Sequence, residues 1–374
     1  MFLFKKKPKS YLGIDISASA IKLVELEKKE ERYNLKNYAI YSLKEYFKKR
    51  SQKDSFKFVN LSNKEAAEII KKAINYAKIE SRYACLSVPV YSSFSTVIDF
   101  PIMSEKEIAS AISFEAGKYI PVPISEVVLD WSIVSPQEPN LDKKIKQKSL
   151  DSSGSKIPKR IPKQEILLVA VPKEIVNNYK KIINLAGLKL KSIEEETFSL
   201  SRSLIGNDKI PTLLIDAGFR SVSISIISDG YIKVTNNLEI GGIRISEAIA
   251  KQTNLSLEEA EEIKIKLSNN ELSDAQTLRL KEVINSVLKV IITEIKKIID
   301  IYQIKYNKKI EKCILTGGGF GLVGFIDYFN NELPLDISLG DPFARIIYPS
   351  SLKPVIKELG PSLSVAVGLA MREE

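Results

Sequence analysis

The 374-residue sequence contains no histidine. That removes Ser-His-Asp triads, Cys-His pairs, imidazole general bases and imidazole-ligated metals. Cysteine is almost missing as well: Cys85 and Cys313 are too few and too far apart for a zinc knuckle or a disulfide framework, so a reducing, cytoplasmic compartment is expected. Both fall in apolar strand-like stretches and are expected in the core. No apolar run reaches the roughly 18 residues that a membrane-spanning helix requires. No G-x-x-x-x-G-K-[ST] stretch occurs either, which excludes a P-loop. What remains is a chain that is 44% hydrophobic and 27% charged, a globular balance, and long enough for two or three packed units.

Lys plus Arg number 56 against 46 Asp plus Glu, a net charge of +10. Half of that excess lies in the stretch 135–164, which is rich in Pro, Ser and Gly and has no apolar period. It reads as a flexible basic loop on the surface and not as a nucleic-acid site. Met1-Phe2-Leu3-Phe4 followed by Lys5, Lys6, Lys7 and Lys9 is too short for a signal h-region or a membrane span. The expectation is a basic tail with at most weak contact to an anionic leaflet.

Periodicity supplies the elements. Lys9 to Leu26 alternates apolar and polar residues around Asp15-Ile16-Ser17-Ala18-Ser19, which predicts a hairpin. Ser62-x-x-Glu65 and Ser104-x-x-Glu107 are capping-box patterns ahead of amphipathic helices, and Ser256-x-x-Glu259 opens another. Strands are expected at Tyr83 to Pro89, Phe94 to Phe100, Val127 to Val134 and Glu165 to Val171, with a helix from Lys173 to Leu185 ended by Gly187. Trp131 is expected to pack inward, and Glu115 falls on the apolar stripe of its helix, where a carboxylate needs a partner or a binding groove. Asp274 to Tyr306 reads as one long helix whose stripe is wider than a coiled-coil seam. A strand from Glu311 to Thr316 runs into Gly317-Gly318-Gly319-Phe320-Gly321, and Pro361 is expected at the first position of a closing helix.

A second hairpin at Thr212 to Ile227 repeats the first at an offset of 201 residues, with Asp216 under Asp15. Two Asp-bearing hairpins and a glycine run, all at strand ends, are what a nucleotide held between related halves needs. Each tight turn exposes successive backbone N–H groups to phosphate oxygens. Asp15 and Asp216 would share Mg²⁺ through water, since that ion keeps several waters and rides on one or two carboxylates. Lys22 offers a cation to the outer phosphates, and Gly317 to Gly319 let the nucleoside lie against backbone.

Asp15-Ile16-Ser17-Ala18-Ser19-Ala20-Ile21-Lys22-Leu23-Val24-Glu25-Leu26 resembles the first phosphate motif of the PilM family, actin-like ATP-binding proteins of type IV pilus assembly. Phe114-Glu115-Ala116-Gly117-Lys118-Tyr119-Ile120-Pro121-Val122-Pro123 is similar to that family's signature ahead of its small inserted subdomain. Gly241-Gly242, Ala260-Glu261-Glu262-Ile263-Lys264, Gly317-Gly318-Gly319 and Val367-Gly368-Leu369-Ala370-Met371-Arg372 also fit. The phosphate and glycine motifs are shared with other actin-like ATPases, including FtsA; the stretch Tyr119 to Pro123 is more particular to PilM. The resemblance implies that Asp15, Ser17, Ala18, Ser19 and Lys22 form one phosphate loop and Asp216, Gly218, Arg220 and Ser221 the other. It implies Glu261 and Lys264 at the ribose and adenine, Gly317 to Phe320 at the adenosine, and Gly241 and Gly242 at the same site. One departure is Ser17, where the family has Gly; a Cβ there restricts the turn and is expected to reduce nucleotide affinity or hydrolysis.

The architecture these readings imply is an actin-like α/β ATPase fold of two lobes, with a duplicated strand-hairpin motif and a nucleotide cleft between the lobes. Residues 1–96 would begin the first lobe, 97–182 form a small inserted α/β subdomain, 183–211 continue the first lobe, 212–349 form the second, and 350–374 return a helix to the first. The resemblance further implies a cytoplasmic adaptor at the inner face of the membrane. It would bind ATP and Mg²⁺, a short N-terminal peptide of the inner-membrane protein PilN and the assembly ATPase, with self-association a further expectation, and at most slow hydrolysis. Nucleic acid is not an expected partner, and membrane contact would go through the partner or the basic tail. Two other readings compete. An FtsA-like division protein would carry a linker and an amphipathic membrane helix after its last domain helix, whereas this sequence stops at Met371-Arg372-Glu373-Glu374. A sugar or acetate kinase of the same superfamily would need a positioned base and substrate pocket, for which no distinct signal is present.

Overall fold

The computed structural model describes residues 10–44, 61–134, 163–268, 271, 273–321 and 325–372, with the side chains of Phe320 and Gly321 outside that set. The N-terminal basic tail and the basic loop up to residue 162 lie outside the described residues. Three sheets organise the chain. In the first, β1 (Ser10–Ile16), β2 (Ala20–Lys29) and β3 (Arg32–Ser42) form an antiparallel meander. β4 (Tyr83–Val88) then pairs parallel to β1, and β8 (Lys189–Glu195) parallel to β4. The two-residue β14 (Ile346–Ile347) joins the outer edge of β3.

The second sheet repeats that plan. β9 (Thr212–Ala217), β10 (Val222–Ser228) and β11 (Tyr231–Leu238) are an antiparallel meander, followed by parallel β12 (Lys312–Thr316) and β13 (Asp336–Leu339). With β14 set aside, the orders β3-β2-β1-β4-β8 and β11-β10-β9-β12-β13 are the same. The repeat seen in the turns therefore extends over five strands.

Helices close on these sheets where their sequences place caps and apolar faces. Ser62 and Glu65 exchange hydrogen bonds as a capping box for α1 (Asn63–Tyr76), which buries Ala66, Ile69, Ile70 and Ala73 against the first sheet. α2 (Glu105–Ala116) has the same device in Ser104 and Glu107. It covers a third, antiparallel sheet of β5 (Phe94–Pro101), β7 (Lys163–Pro172) and β6 (Val127–Ile133) over a core of Ile98, Phe100, Ile108, Ile112, Ile166 and Leu168. Trp131 is half-buried against that core, as its alternation implied. Glu115 is half-buried and ion-pairs with the exposed Lys118 at 2.7 Å. α3 (Lys173–Leu185) leads back through Gly187 to β8.

After β8, α4 (Glu196–Leu200) runs into a π-helical turn, Ser201–Ile205. The second sheet is covered by α5 (Gly242–Thr253), α6 (Leu257–Ser268), α7 (Asp274–Tyr306) and α8 (Phe325–Glu332). The long α7 lays Ile284, Leu288, Ile291, Ile295 and Tyr302 into the core around Leu213, Ile215 and Cys313. Cys85 and Cys313 are both buried and unbridged. Glu165 on β7 helps tie the third sheet to the second: it accepts from Lys233 Nζ on β11 at 2.8 Å and from Tyr306 Oη on α7 at 2.7 Å, and Lys233 Nζ also donates to the Val134 carbonyl.

The closing helix corrects one expectation. α9 (Lys353–Ala370) starts eight residues before Pro361, and Pro354, not Pro361, occupies its first turn. Pro361 sits inside the helix, where a proline normally costs about 3 kcal/mol because it removes one ladder hydrogen bond. Two compensations are visible. The Pro361 carbonyl accepts from Gly317 N–H at 3.1 Å and Thr316 Oγ1 at 2.8 Å, and the residues after it, Leu363 to Met371, are almost wholly buried. Pairing with β1 is so close that a Cβ on Gly13 would overlap the backbone of Ala366 and Ala370.

Candidate functional site

The ends of β1 and β9 open onto a cavity of about 540 Å³. Every site residue expected from the sequence except Phe320 lines it. Phe320 lies in the short 3₁₀ turn Gly318–Gly321, and its side chain is outside the described set.

The two turns match in backbone detail. Ser17 N–H donates to Ala20 O at 3.0 Å, and 201 residues later Gly218 N–H donates to Ser221 O at 2.9 Å. Ser17 fits without strain, since its φ is not positive, and its hydroxyl adds a 2.8 Å bond to Ala20 O. The expected restriction by its Cβ is thus absorbed by the turn. The strand register places Lys22 directly opposite Asp15, and Nζ lies 3.0 Å from Oδ2. Asp15 Oδ1 is buried and has no hydrogen-bond partner. In the second turn the residue opposite Asp216 is Ser223, so the repeat supplies two acids and one lysine.

A third carboxylate, which sequence reasoning missed, joins them. Glu196 begins α4 at the end of β8, lines the cavity and accepts from Val90 N–H at 3.4 Å. Burial and the charges of Asp15 and Asp216 push its carboxyl well above the ordinary range, against the pull of Lys22. Asp216 is pushed up to about 6 by burial and by Asp15, again opposed by Lys22. Burial alone would depress Lys22, but Asp15 beside it, with Asp216 and Glu196, holds its ammonium above the usual value. One end of the cavity thus carries more negative charge than its lysine balances. The buried, unpartnered Asp15 oxygen, facing the raised carboxyls of Asp216 and Glu196, suits a hydrated divalent cation. Among the described residues no cluster of three or more acids, cysteines or histidines is arranged to ligate a metal, so the remaining ligands would come from water and a bound anion.

The other end is shaped by Gly317, Gly241 and a buried pair. Gly317 has φ +96°, and a Cβ there would overlap Asp216 Oδ1 and Ala217 O, so only glycine lets β12 turn away this close to β9. Gly242 N–H donates to Gly218 O and Ile243 N–H to Phe219 O, which ties the start of α5 to the second turn. Glu261 accepts from Lys264 Nζ at 2.6 Å and from Ser246 Oγ at 2.5 Å, and Lys264 also reaches Gly242 O at 2.9 Å. Burial lowers the Lys264 ammonium despite Glu261. Tyr91, also missed from the sequence, places its ring 4.5 Å from the Arg220 guanidinium carbon.

A second cavity of about 450 Å³ opens where the third sheet meets the first-sheet neighbourhood, with Tyr33, Val134, Leu167, Phe198, Arg202 and Arg345 in its wall. Among the described residues no helix is long and apolar enough to cross a membrane.

Comparison with known proteins agrees with this architecture. A solved PilM-PilN type IV pilus biogenesis complex contains a chain that superposes with a TM-score of 0.77 at 24% identity, over 97% of this chain and 98% of that one. The ethanolamine utilization protein EutJ from Carboxydothermus hydrogenoformans follows at 0.54 and 15% identity over 98% and 90%. MreB 5 of Spiroplasma citri, solved bound to AMPPNP, gives 0.50 and 11% over 97% and 95%. The curated cell division protein FtsA of Enterococcus faecalis is 25% identical over 192 residues, which span 46% of this chain and less than half of FtsA, 43%. The family profile described as type IV pilus assembly protein PilM matches residues 13–150 and 145–374. The chain therefore belongs to the PilM family of type IV pilus assembly proteins and has the actin-like ATPase fold.

Proposed function

We propose that this protein is a nucleotide-responsive adaptor of the pilus assembly complex, binding MgATP in the larger cavity and a PilN peptide outside it. The observation that carries the nucleotide reading is the pair of matched turns facing an unpartnered Asp15 oxygen. In this reading the backbone N–H groups around Ser17, Ala18 and Ser19 and around Gly218, Arg220 and Ser221 wrap the phosphates, with Lys22 and Arg220 as cations. Asp15 and Asp216 hold Mg²⁺ through water. Glu261 and Lys264 meet the ribose and base, while Gly241, Gly242 and Gly317 to Phe320 let the adenosine lie against backbone. Such a ligand touches both repeated units and favours their closed arrangement.

The partner reading is supported by family membership and by the PilM-PilN complex as a structural relative. The second cavity is the proposed seat for the N-terminal peptide of PilN. Its wall mixes apolar anchors, Val134, Leu167 and Phe198, with Arg202 and Arg345, which suits a short extended segment with polar backbone to satisfy. Through PilN the protein would reside at the inner face of the cytoplasmic membrane, where the assembly ATPase is its second expected partner. The test is fluorescence anisotropy of a labelled synthetic peptide covering the PilN cytoplasmic N-terminus, with and without MgATP. Saturable binding that shifts with MgATP and weakens about tenfold in Phe198→Ala supports the adaptor. No binding overturns the partner assignment, and equal affinity with and without MgATP overturns the coupling.

A further inference from the structure

Tyr91 lies on a short 3₁₀ turn, Val90–Ser92, that carries the chain from the first sheet into the third. The turn is gripped from below by consecutive residues of another strand end. Glu196 accepts from Val90 N–H, while the buried Glu195 accepts from Ser93 Oγ at 2.7 Å and Ser95 Oγ at 3.2 Å. Ser93 Oγ also reaches Val90 O at 3.2 Å, and Thr197 Oγ1 completes the Glu195 set at 3.1 Å. The phenol ring is therefore mounted on a fixed platform at the acidic end of the cleft. Arg220 comes from the opposite side, from the β9–β10 turn of the second repeat, sets its guanidinium carbon 4.5 Å from the centre of that ring and hydrogen-bonds the Tyr91 side chain.

A guanidinium held over an aromatic ring is restrained in place while its rigid fork carries several N–H donors that a phosphate can meet at once. Arginine has no fixed rotamer on an open turn, so the aromatic platform decides where that fork points. We infer that Tyr91 is a positioning residue for Arg220, aiming its guanidinium at the outermost phosphate of the bound nucleotide, so that the cleft distinguishes a triphosphate from a diphosphate. The inference rests on the nucleotide reading above and adds to it a residue outside both phosphate turns.

The test is calorimetric titration of the full chain with MgATP and with MgADP, for wild type, Tyr91→Phe, Tyr91→Ala, Arg220→Ala and the double alanine variant. Tyr91→Ala is expected to weaken MgATP about tenfold and MgADP less than roughly threefold, and Tyr91→Phe, which keeps the ring but loses the hydrogen bond between its hydroxyl and Arg220, to recover most of that loss. The double variant is expected to be no weaker than Arg220→Ala alone, because both changes remove one interaction. Trp131, the single tryptophan, sits in the third sheet, and its emission reports that each variant keeps the native packing. Equal losses for ATP and ADP, additive losses in the double variant, or no effect of Tyr91→Ala overturn the inference. Failure of the wild type to bind either nucleotide overturns the nucleotide reading itself.

Discussion

Asp216 gives the cleft a pH signature whose sign follows from its surroundings. Its carboxyl is pushed up to about 6, above the ordinary aspartate value of about 3.9, so the folded chain holds this proton more tightly than the unfolded one. That contribution to stability is complete below about pH 4 and is lost as pH rises through about 6; the raised Glu196 adds in the same direction. Asp216→Asn is therefore expected to gain thermal stability relative to wild type between pH 4.5 and 7.5 in metal-free buffer, to the extent of roughly 2 kcal/mol. An equal gap at both pH values contradicts it. At this scale the acids and glycines of the two turns were legible, because tight turns at strand ends draw on a small residue vocabulary. Glu196 and Tyr91 were not. They reach the cavity from the β8–α4 junction and the β4–β5 turn, segments without a motif, and only the parallel pairing of β4 with β8 brings them together.

Among the elements, α9 and β1 meet in close backbone contact through Gly13. Gly13→Ala is expected to destabilise the chain by about 3 kcal/mol, since the added methyl meets helix backbone that cannot move aside, and urea denaturation would show it as a lower midpoint. A midpoint within error of wild type contradicts the packing. The third sheet makes a second prediction. Lys233 is almost fully buried, and Glu165→Ala would leave its ammonium without its carboxylate, at a cost of about 3 kcal/mol. Glu165→Gln, which keeps the shape and an acceptor, is expected to cost less; equal losses would mean that the lost charge alone sets the cost and that the retained acceptor contributes nothing. Capping boxes and the 33-residue α7 were readable from spacing alone. β3 and β11 went unread because they are the outer strands of their meanders, where intermediate burial and polar residues such as Asn34, Lys36, Asn236 and Asn237 blur the alternation. Pro361 misled for a different reason. The rule that places proline in a first turn describes local backbone cost, and here the carbonyl bonds to Thr316 and Gly317 and the burial of the following residues outweigh it.

Over the whole molecule, one five-strand plan used twice sets two turns against each other, and the space between their strand ends is the cavity. That duplication was visible in sequence as the 201-residue offset, since the same turn chemistry was written twice. The second cavity was not, because its wall is drawn from the π-helical turn, the third sheet, the second repeat and β3. The repeat is also unequal, with Lys22 in one copy and Ser223 in the other, which leaves the acids undercompensated until a cation arrives. The most direct measurement is therefore titration calorimetry of the wild-type chain with ATP, in Mg²⁺ and in EDTA. Saturable one-to-one binding that weakens at least about tenfold when Mg²⁺ is removed is the predicted result. No saturable heat at millimolar MgATP, or binding indifferent to Mg²⁺, would contradict the account.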